Sequence, residues 1–571
     1  MRRMMNSHQG GANQNNNLSY SLTLLLTCFV ALAQAQNPIN PIVPKALYLV
    51  ETEHTQKALT ELEEAVKANP TDASLLYYLG FVQIKAGENA KALASFDKGI
   101  LLNEKEALNF AGKGQISLLE KKEAEAKIQF DKALSMTKSK NVAVLKAVAE
   151  AYLIDNKYSV DAITLLNKAK SADNTDPEVQ ILFGDVYLLQ NNGGLAVSSY
   201  ERAASLRPTM AKPHFKMGMV FERSKNTELA MENFNKAIAV DPKYTLAYKE
   251  LGEIYYLMGA KEAERAVKSY ETYLSLTEKP EAFQYQYAFF LFMAKDYKKA
   301  NEVFSKIAGA PDVKVHTLRF YANSLFEEAS ATTPPGDFQK SKEMYERYFK
   351  KAKPGDLEAT DYVYYGKALQ KLKQDSLAII EFNKSLAINS DDKKLPPKEH
   401  REILLLVGDT YLKTKKFSNA IEIYKLLMSK REAPYAADFF SIGRAYYFNT
   451  QFAQADTAFL KLIELKPEMT VGYLWEARTK SNLDPDSEQG LAKPYFEKLI
   501  EKASAAPDQN KNNLIDAYRY LGYYHYLKKD YAAAKEAYGK LLVLKPDDKD
   551  TKDALDILNK PIPQPQSKKE R

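Results

Sequence analysis

Histidine, cysteine and paired carboxylates are the side chains with which a chain would do metal, nucleophilic or acid–base chemistry. The six histidines are His8, His54, His214, His316, His400 and His525, and no two are spaced to share one helical face. No metal site and no histidine-based catalysis is therefore indicated. Cys28 is the only cysteine, so an intramolecular disulfide or a thiolate metal cage cannot form. Glu250 and Glu253 stand at i, i+3, the spacing that puts two carboxylates on one helix face for general acid–base work. Pairs of this kind arise by chance in Glu-rich helices, and no catalytic residue is assigned. Phosphate-cradling glycine loops and the strand–turn–helix serine motif are absent, and Gly193-Gly194 reads as a turn between two helices. No cofactor, metal or small-molecule substrate is expected.

What remains is binding chemistry, and composition sets its class. Over the 571 residues, 45% are apolar and 27% charged, and the balance stays uniform from about residue 42 to residue 558. The chain holds 37 Tyr and 26 Phe but one Trp, Trp475, which is ample material for a core. The net charge of +7 is spread through mixed Lys/Glu helices rather than gathered in a block, which argues against nucleic acid as a partner.

The first residues differ in kind. Arg2 and Arg3 precede a polar stretch, then Leu22–Ala33 run apolar before Ala33-Gln34-Ala35, a small-x-small cleavage pattern. Residues 1–35 are expected to be a secretory signal peptide, because about twelve apolar residues fall short of the ~20 that span a bilayer. The expected location is periplasmic, with lipidation at Cys28 as an outer-membrane lipoprotein the weaker alternative and peripheral membrane association compatible with both.

The elements that must position any binding residue are helices in a repeat. Residues 177–210 and 211–244 align without a gap over a period of about 34 residues, matching Gly184 with Gly218, Tyr187 with Phe221, Ala196 with Ala230, Tyr200 with Phe234, Ala203 with Ala237 and Pro208 with Pro242. The same marks recur at Gly80, Gly114, Gly252, Gly366, Gly408, Gly443 and Gly522 with their partners downstream. This pattern resembles the tetratricopeptide repeat (TPR) and covers nearly all of the chain after the signal segment. The resemblance implies an all-α fold, an α-solenoid of about fourteen stacked helix-turn-helix units forming a superhelix.

Each mark has a local reason. Gly184 or Gly218 lets the two helices of a pair approach closely, so Gly218→Leu is expected to overpack the crossing. The aromatics at 187, 200, 221 and 234 are expected to fill the gap between one pair and the next. Pro208 and Pro242 end the second helix. The expected organisation is an N-terminal array over 42–388, a linker or insertion over 389–399, where period is lost in NSDDKKLPPKE, a C-terminal array with a capping helix over 400–558, and a disordered Pro-rich tail over 559–571.

In this family the first helices of the units line the inner surface, and the residues one, four, eight and eleven places after a unit's start face bound peptide. The resemblance thus points to Ala282, Tyr285, Phe289 and Phe292; to Ala437, Phe440, Arg444 and Tyr447; and to Asp516, Arg519, Tyr523 and Tyr526. Aromatic and Arg side chains are the commonest binding hot spots. The carboxylate clamp of chaperone-binding members is incomplete, since Glu253 stands where Asn would follow Lys249. The expected function is a non-catalytic scaffold of the bacterial cell envelope that binds envelope or secretion proteins. The alternatives are a surface carbohydrate receptor resembling the starch-utilisation family, working through Trp475, and a cytoplasmic adaptor should the signal peptide be absent.

Overall fold

The computed structural model describes residues 40–332, 336–388 and 397–560. The expected signal peptide with Cys28, the linker residues 389–396 and the tail from 561 lie outside the described residues.

All the regular structure described is helical. There are 29 α-helices and no strand among the described residues: fourteen helix-turn-helix units in sequence and a last helix, Lys549–Asn559. The chain divides into two compact units, one up to Asp296 and one from Tyr297. The helices flanking 389–396, Asp375–Ile388 and Pro397–Lys413, both fall in the second.

The most regular stretch shows how the sequence builds a repeat. Pro177 opens helix Pro177–Leu189 at a position that needs no N–H, and the Asp176 carboxylate accepts from the Glu178 amide at 2.9 Å. The helix stops at Asn191, whose φ of 59° is left-handed, and the Asn192 amide bonds back to the Tyr187 carbonyl at 2.8 Å. The Asn192 side chain then caps the second helix, Gly193–Leu206, through the Leu195 amide. One period later Lys225 takes φ 60°, the Asn226 amide returns to the Phe221 carbonyl at 2.8 Å, and Asn226 caps Thr227–Val240. This left-handed stop recurs at Lys121, Lys373, Lys415, Thr450 and Lys529. It satisfies end carbonyls while reversing the chain.

The glycine mark works as expected, but its aromatic partner differs from the expectation. A Cβ at Gly184 would lie 2.3 Å from Cε1 of Tyr200, and one at Gly218 would lie 2.5 Å from Cε1 of Phe234. Tyr200 and Phe234 therefore fill the space inside their own helix pair. Phe96 does both jobs, meeting Gly80 of its own pair and Gly112 of the next. The reason is geometric: the bare face of a first-helix glycine leaves a slot, and the ring at the centre of the second helix is the group directly across it.

Two buried ring hydroxyls are satisfied by a paired substitution. Tyr200 is fully buried and donates to Asp185 at 2.7 Å, and Tyr424 donates to Asp409 at 2.6 Å. Both acids directly follow the close-approach glycine. In the units with Phe96, Phe234, Phe382 or Phe459 that next residue is Phe81, Met219, Lys367 or Arg444.

Candidate functional site

In the second unit three consecutive first helices bring their side chains into one continuous face. Helix Ala436–Phe448 carries Phe440, Arg444 and Tyr447 at spacings of four and three, so all project from the same side. Helix Thr470–Leu483 sets Trp475 against them. The Tyr447 ring meets the indole edge-on at 5.2 Å, Phe440 does so at 6.5 Å, and Phe459 stacks on it at 5.8 Å. The guanidinium groups of Arg444 and Arg478 lie over the same indole at 5.7 and 5.3 Å. Arg444 also lies over Phe440, and its Nε is buried without a hydrogen-bond partner among the described residues. Its cation is held by rings.

Arg478 carries the face onward. It pairs with Asp516 on helix Lys511–Leu527, one helical turn before Arg519. Arg519 donates to Asp548 at 2.8 Å. Asp548 caps the last helix through Thr551 and is held well below the usual carboxylate range, first by that hydroxyl, then by Lys545 and Arg519. Arg519 and Tyr523 line a cavity of about 480 Å³ with Ser481, Asp516 and the capping-helix residues Asp550, Thr551 and Ala554. The cavity thus sets the opposite charges of Asp516, Arg519 and Asp550 beside the rings of Phe496, Tyr520, Tyr523 and Tyr538, a lining suited to a side chain with both an apolar and a polar part.

The expected residues separate on this geometry. Phe440, Arg444 and Tyr447 come together around Trp475, and Asp516, Arg519 and Tyr523 come together at the cavity. Tyr526 does not line the cavity; its ring packs near Tyr531 at 6.1 Å. Ala437 is exposed at the start of its helix. Tyr285, Phe289 and Phe292 sit on helix Gln284–Met293 in the first unit, all half-buried. Tyr285 stacks on Phe289 at 6.3 Å, and Phe289 meets Tyr256 edge-on at 5.5 Å, so this pair continues the packing of the preceding repeat. Ala282 lies in a short 3-10 turn, Pro280–Phe283, ahead of the helix.

The position rule overlooked Arg478, the residue that joins the two clusters. The same offset of eight, applied to the irregular unit opening at Thr470, lands on Arg478, and an offset of eleven lands on Ser481. The loop over 484–492 obscured that unit's second half and with it the register.

Two carboxylates are strongly perturbed. Glu250 is pushed up to about 7 by burial and then by Glu222, with smaller contributions from Glu253 and Glu53 against the opposing pull of Lys249. Glu476 has no exposed surface and is pushed up to about 9 by burial and by the adjacent Asp456 carboxylate, whose own partner is Lys480 at 2.6 Å. Neither borders the 480 Å³ cavity. Among the described residues no cluster of three His, Cys, Asp or Glu has the arrangement of a metal site, and no helix is long and apolar enough to cross a membrane.

Sequence profiles of the tetratricopeptide repeat match residues 43–101, 211–244 and 439–469. The chain belongs to the tetratricopeptide repeat superfamily. This TPR chain is 33% identical over 129 residues to anaphase-promoting complex subunit 6 of Arabidopsis thaliana, a match covering 23% of each chain. It is 26% identical over 224 residues to the human mitochondrial import receptor subunit TOM70, covering 38% of this chain and 35% of that one. It therefore spans well under two thirds of the curated relatives it matches. Among solved structures, the C-terminal part of a TPR repeat-containing protein from Cytophaga hutchinsonii is 32% identical, with 48% of this chain and 99% of that chain covered and a TM-score of 0.40.

Proposed function

We propose that this TPR protein is an exported, non-catalytic scaffold of the bacterial cell envelope that binds a partner protein through the first-helix face of its C-terminal unit. Proteins with these repeats serve in general as interaction scaffolds, and the relatives above are, by name, subunits of larger assemblies. The observation that carries the reading is the cluster of Arg444, Trp475 and Arg478. It continues through Asp516 into a cavity lined by Arg519 and Tyr523. Aromatic and Arg groups packed this way bury large area at low entropic cost, as hot spots do. Export is supported by the apolar run Leu22–Ala33 and the Ala33-Gln34-Ala35 pattern. Envelope or secretion components are the proposed partners.

Cross-linking and affinity capture from envelope fractions, with wild type beside Arg478→Ala and Arg519→Ala, tests the reading. The expected result is a captured protein that both variants lose. Capture that both variants leave unchanged defeats the assignment of the face. Mass spectrometry of the mature N-terminus tests export separately, with Gln36 expected as the first residue.

The carbohydrate alternative is disfavoured by the same geometry. Phe459 stacks on Trp475, and the Arg444 and Arg478 guanidinium groups lie over its ring, so the indole does not present the open platform that sugar stacking needs.

A further inference from the structure

The N-terminal unit closes on itself. The turn between its first two helices, Ile42–Glu51 and Thr55–Ala68, contacts the chain about two hundred residues later through a row of specific bonds. Tyr48 donates to Asp241 at 2.7 Å, and Thr245 donates to the Thr52 carbonyl at 2.8 Å. Tyr273 donates to Glu53 at 2.8 Å, and Lys212 lies 3.6 Å from Glu51. Glu278 accepts from the amides of Gln56 and Lys57 at 2.9 and 2.7 Å, capping helix Thr55–Ala68 from a distant part of the chain. Thr52, Thr245, Tyr244 and Tyr273 are each 2% exposed or less. The seam is dry at its centre.

The two sides of the seam differ in chemistry. The receiving side offers hydroxyl donors in its buried middle, from Tyr244 facing Glu51, Thr245 and Tyr273, and at its half-buried edge the Lys212 ammonium, which also pairs with Glu178 at 3.0 Å. The inserted side offers acceptors: the Glu51 carboxylate, the Thr52 carbonyl and the Glu53 carboxylate. Glu53 holds a left-handed φ of 62° in the turn. If the turn leaves, the buried hydroxyls of Tyr244, Thr245 and Tyr273 lose their acceptors, each costly to leave unmet, while Lys212 keeps Glu178 at 3.0 Å. Whatever takes the turn's place must bring acceptors.

We infer that this row is a recognition surface for an acidic turn, occupied here by the chain's own Glu51-Thr52-Glu53, and that a partner segment with two carboxylates on one side of a turn competes for it. The turn is the displaceable strap, since Leu49, Leu59 and Leu62 keep both helices in the core shared with Leu75 and Val82. The site lies in the N-terminal unit and does not depend on the Trp475 face, so failure of either leaves the other standing.

The full chain with Cys28→Ser, spin-labelled through Thr60→Cys and Lys243→Cys, reads the strap directly. A single short-distance population is expected, spreading to longer distances when Glu51→Lys and Glu53→Lys are added. A broad, long distribution without those two changes overturns closure. Recognition is read with a labelled synthetic peptide of residues 47–57. It is expected to bind the Glu51→Lys/Glu53→Lys protein at least about ten-fold more tightly than wild type. Replacing both glutamates of the peptide by Gln, or adding Lys212→Met to the opened protein, is expected to abolish binding. No binding to the opened protein, or equal binding of the Gln peptide, overturns the acidic-turn assignment. Helical circular dichroism verifies folding, and if the double Lys variant unfolds, Thr245→Val with Tyr273→Phe opens the seam from the other side with the same expected readouts.

Discussion

Gly218 presents its bare Cα to the ring of Phe234, so close that a Cβ there would lie 2.5 Å from Cε1. The ring is fully buried and cannot swing away. Gly218→Ala is expected to cost about 1–3 kcal/mol and Gly218→Leu more, as overpacking of a tight crossing does. Gly252 is the internal control: its virtual Cβ meets Tyr270 at 3.2 Å, so Gly252→Ala is expected to cost clearly less. Denaturant midpoints of the two variants test the order.

The Asp185–Tyr200 bond separates satisfaction of a polar group from packing. Asp185→Ala leaves a buried hydroxyl without its acceptor and also removes the partner of Lys216 at 3.0 Å, an expected loss of about 1–3 kcal/mol. Adding Tyr200→Phe is expected to restore part of that loss, since the neighbouring unit uses Phe234 in the same place. Additive losses in the double-mutant cycle would contradict this coupling.

Lys225 bears a left-handed φ of 60° without the freedom of glycine. Lys225→Gly relieves a conformation that costs an L-residue about 1–2 kcal/mol, offset by glycine's greater unfolded entropy. A net gain of about 0.5–1 kcal/mol, seen as a higher Tm, is expected.

The raised carboxylates give stability a pH signature. Glu476 goes from its ordinary 4.5 to about 9 on folding. The folded chain thus holds a proton that the unfolded chain releases, and the stability this contributes is complete below 4.5 and lost as pH rises toward 9. Glu250 acts likewise between 4.5 and about 7. Glu476→Gln is expected to flatten Tm against pH across the wider window and to raise Tm at pH 8 by a few degrees. An unchanged slope in the variant would rule out Glu476 as its source.

Much of this was legible in the sequence because the repeat writes each contact many times. Gly184, Gly218 and their counterparts mark the helix pairs, and the resemblance to the TPR family points to Phe440, Arg444 and Tyr447 on one face. The register falters where the unit opening at Thr470 is interrupted by its loop, which hides Arg478. The sequence leaves the aromatic at 200 looking like a spacer between pairs, because periodicity gives spacing along the chain, not which helix lies across the slot. The contacts of Thr52 with Thr245 and of Glu278 with Gln56 had no signal at all. They join segments from different repeats, and only the accumulated rotation of the stack brings them together.

That closure bears on how the chain is made. Successive TPR hairpins can dock on their predecessors as they leave the ribosome, each using contacts a few tens of residues away. The first hairpin is the exception: its turn and the N-terminus of its second helix stay incomplete until Glu278 has been synthesised. The first helical hairpin of the unit is thus completed only near the unit's end, which gives any carrier that meets the nascent chain a long interval in which Glu51-Thr52-Glu53 is open to it.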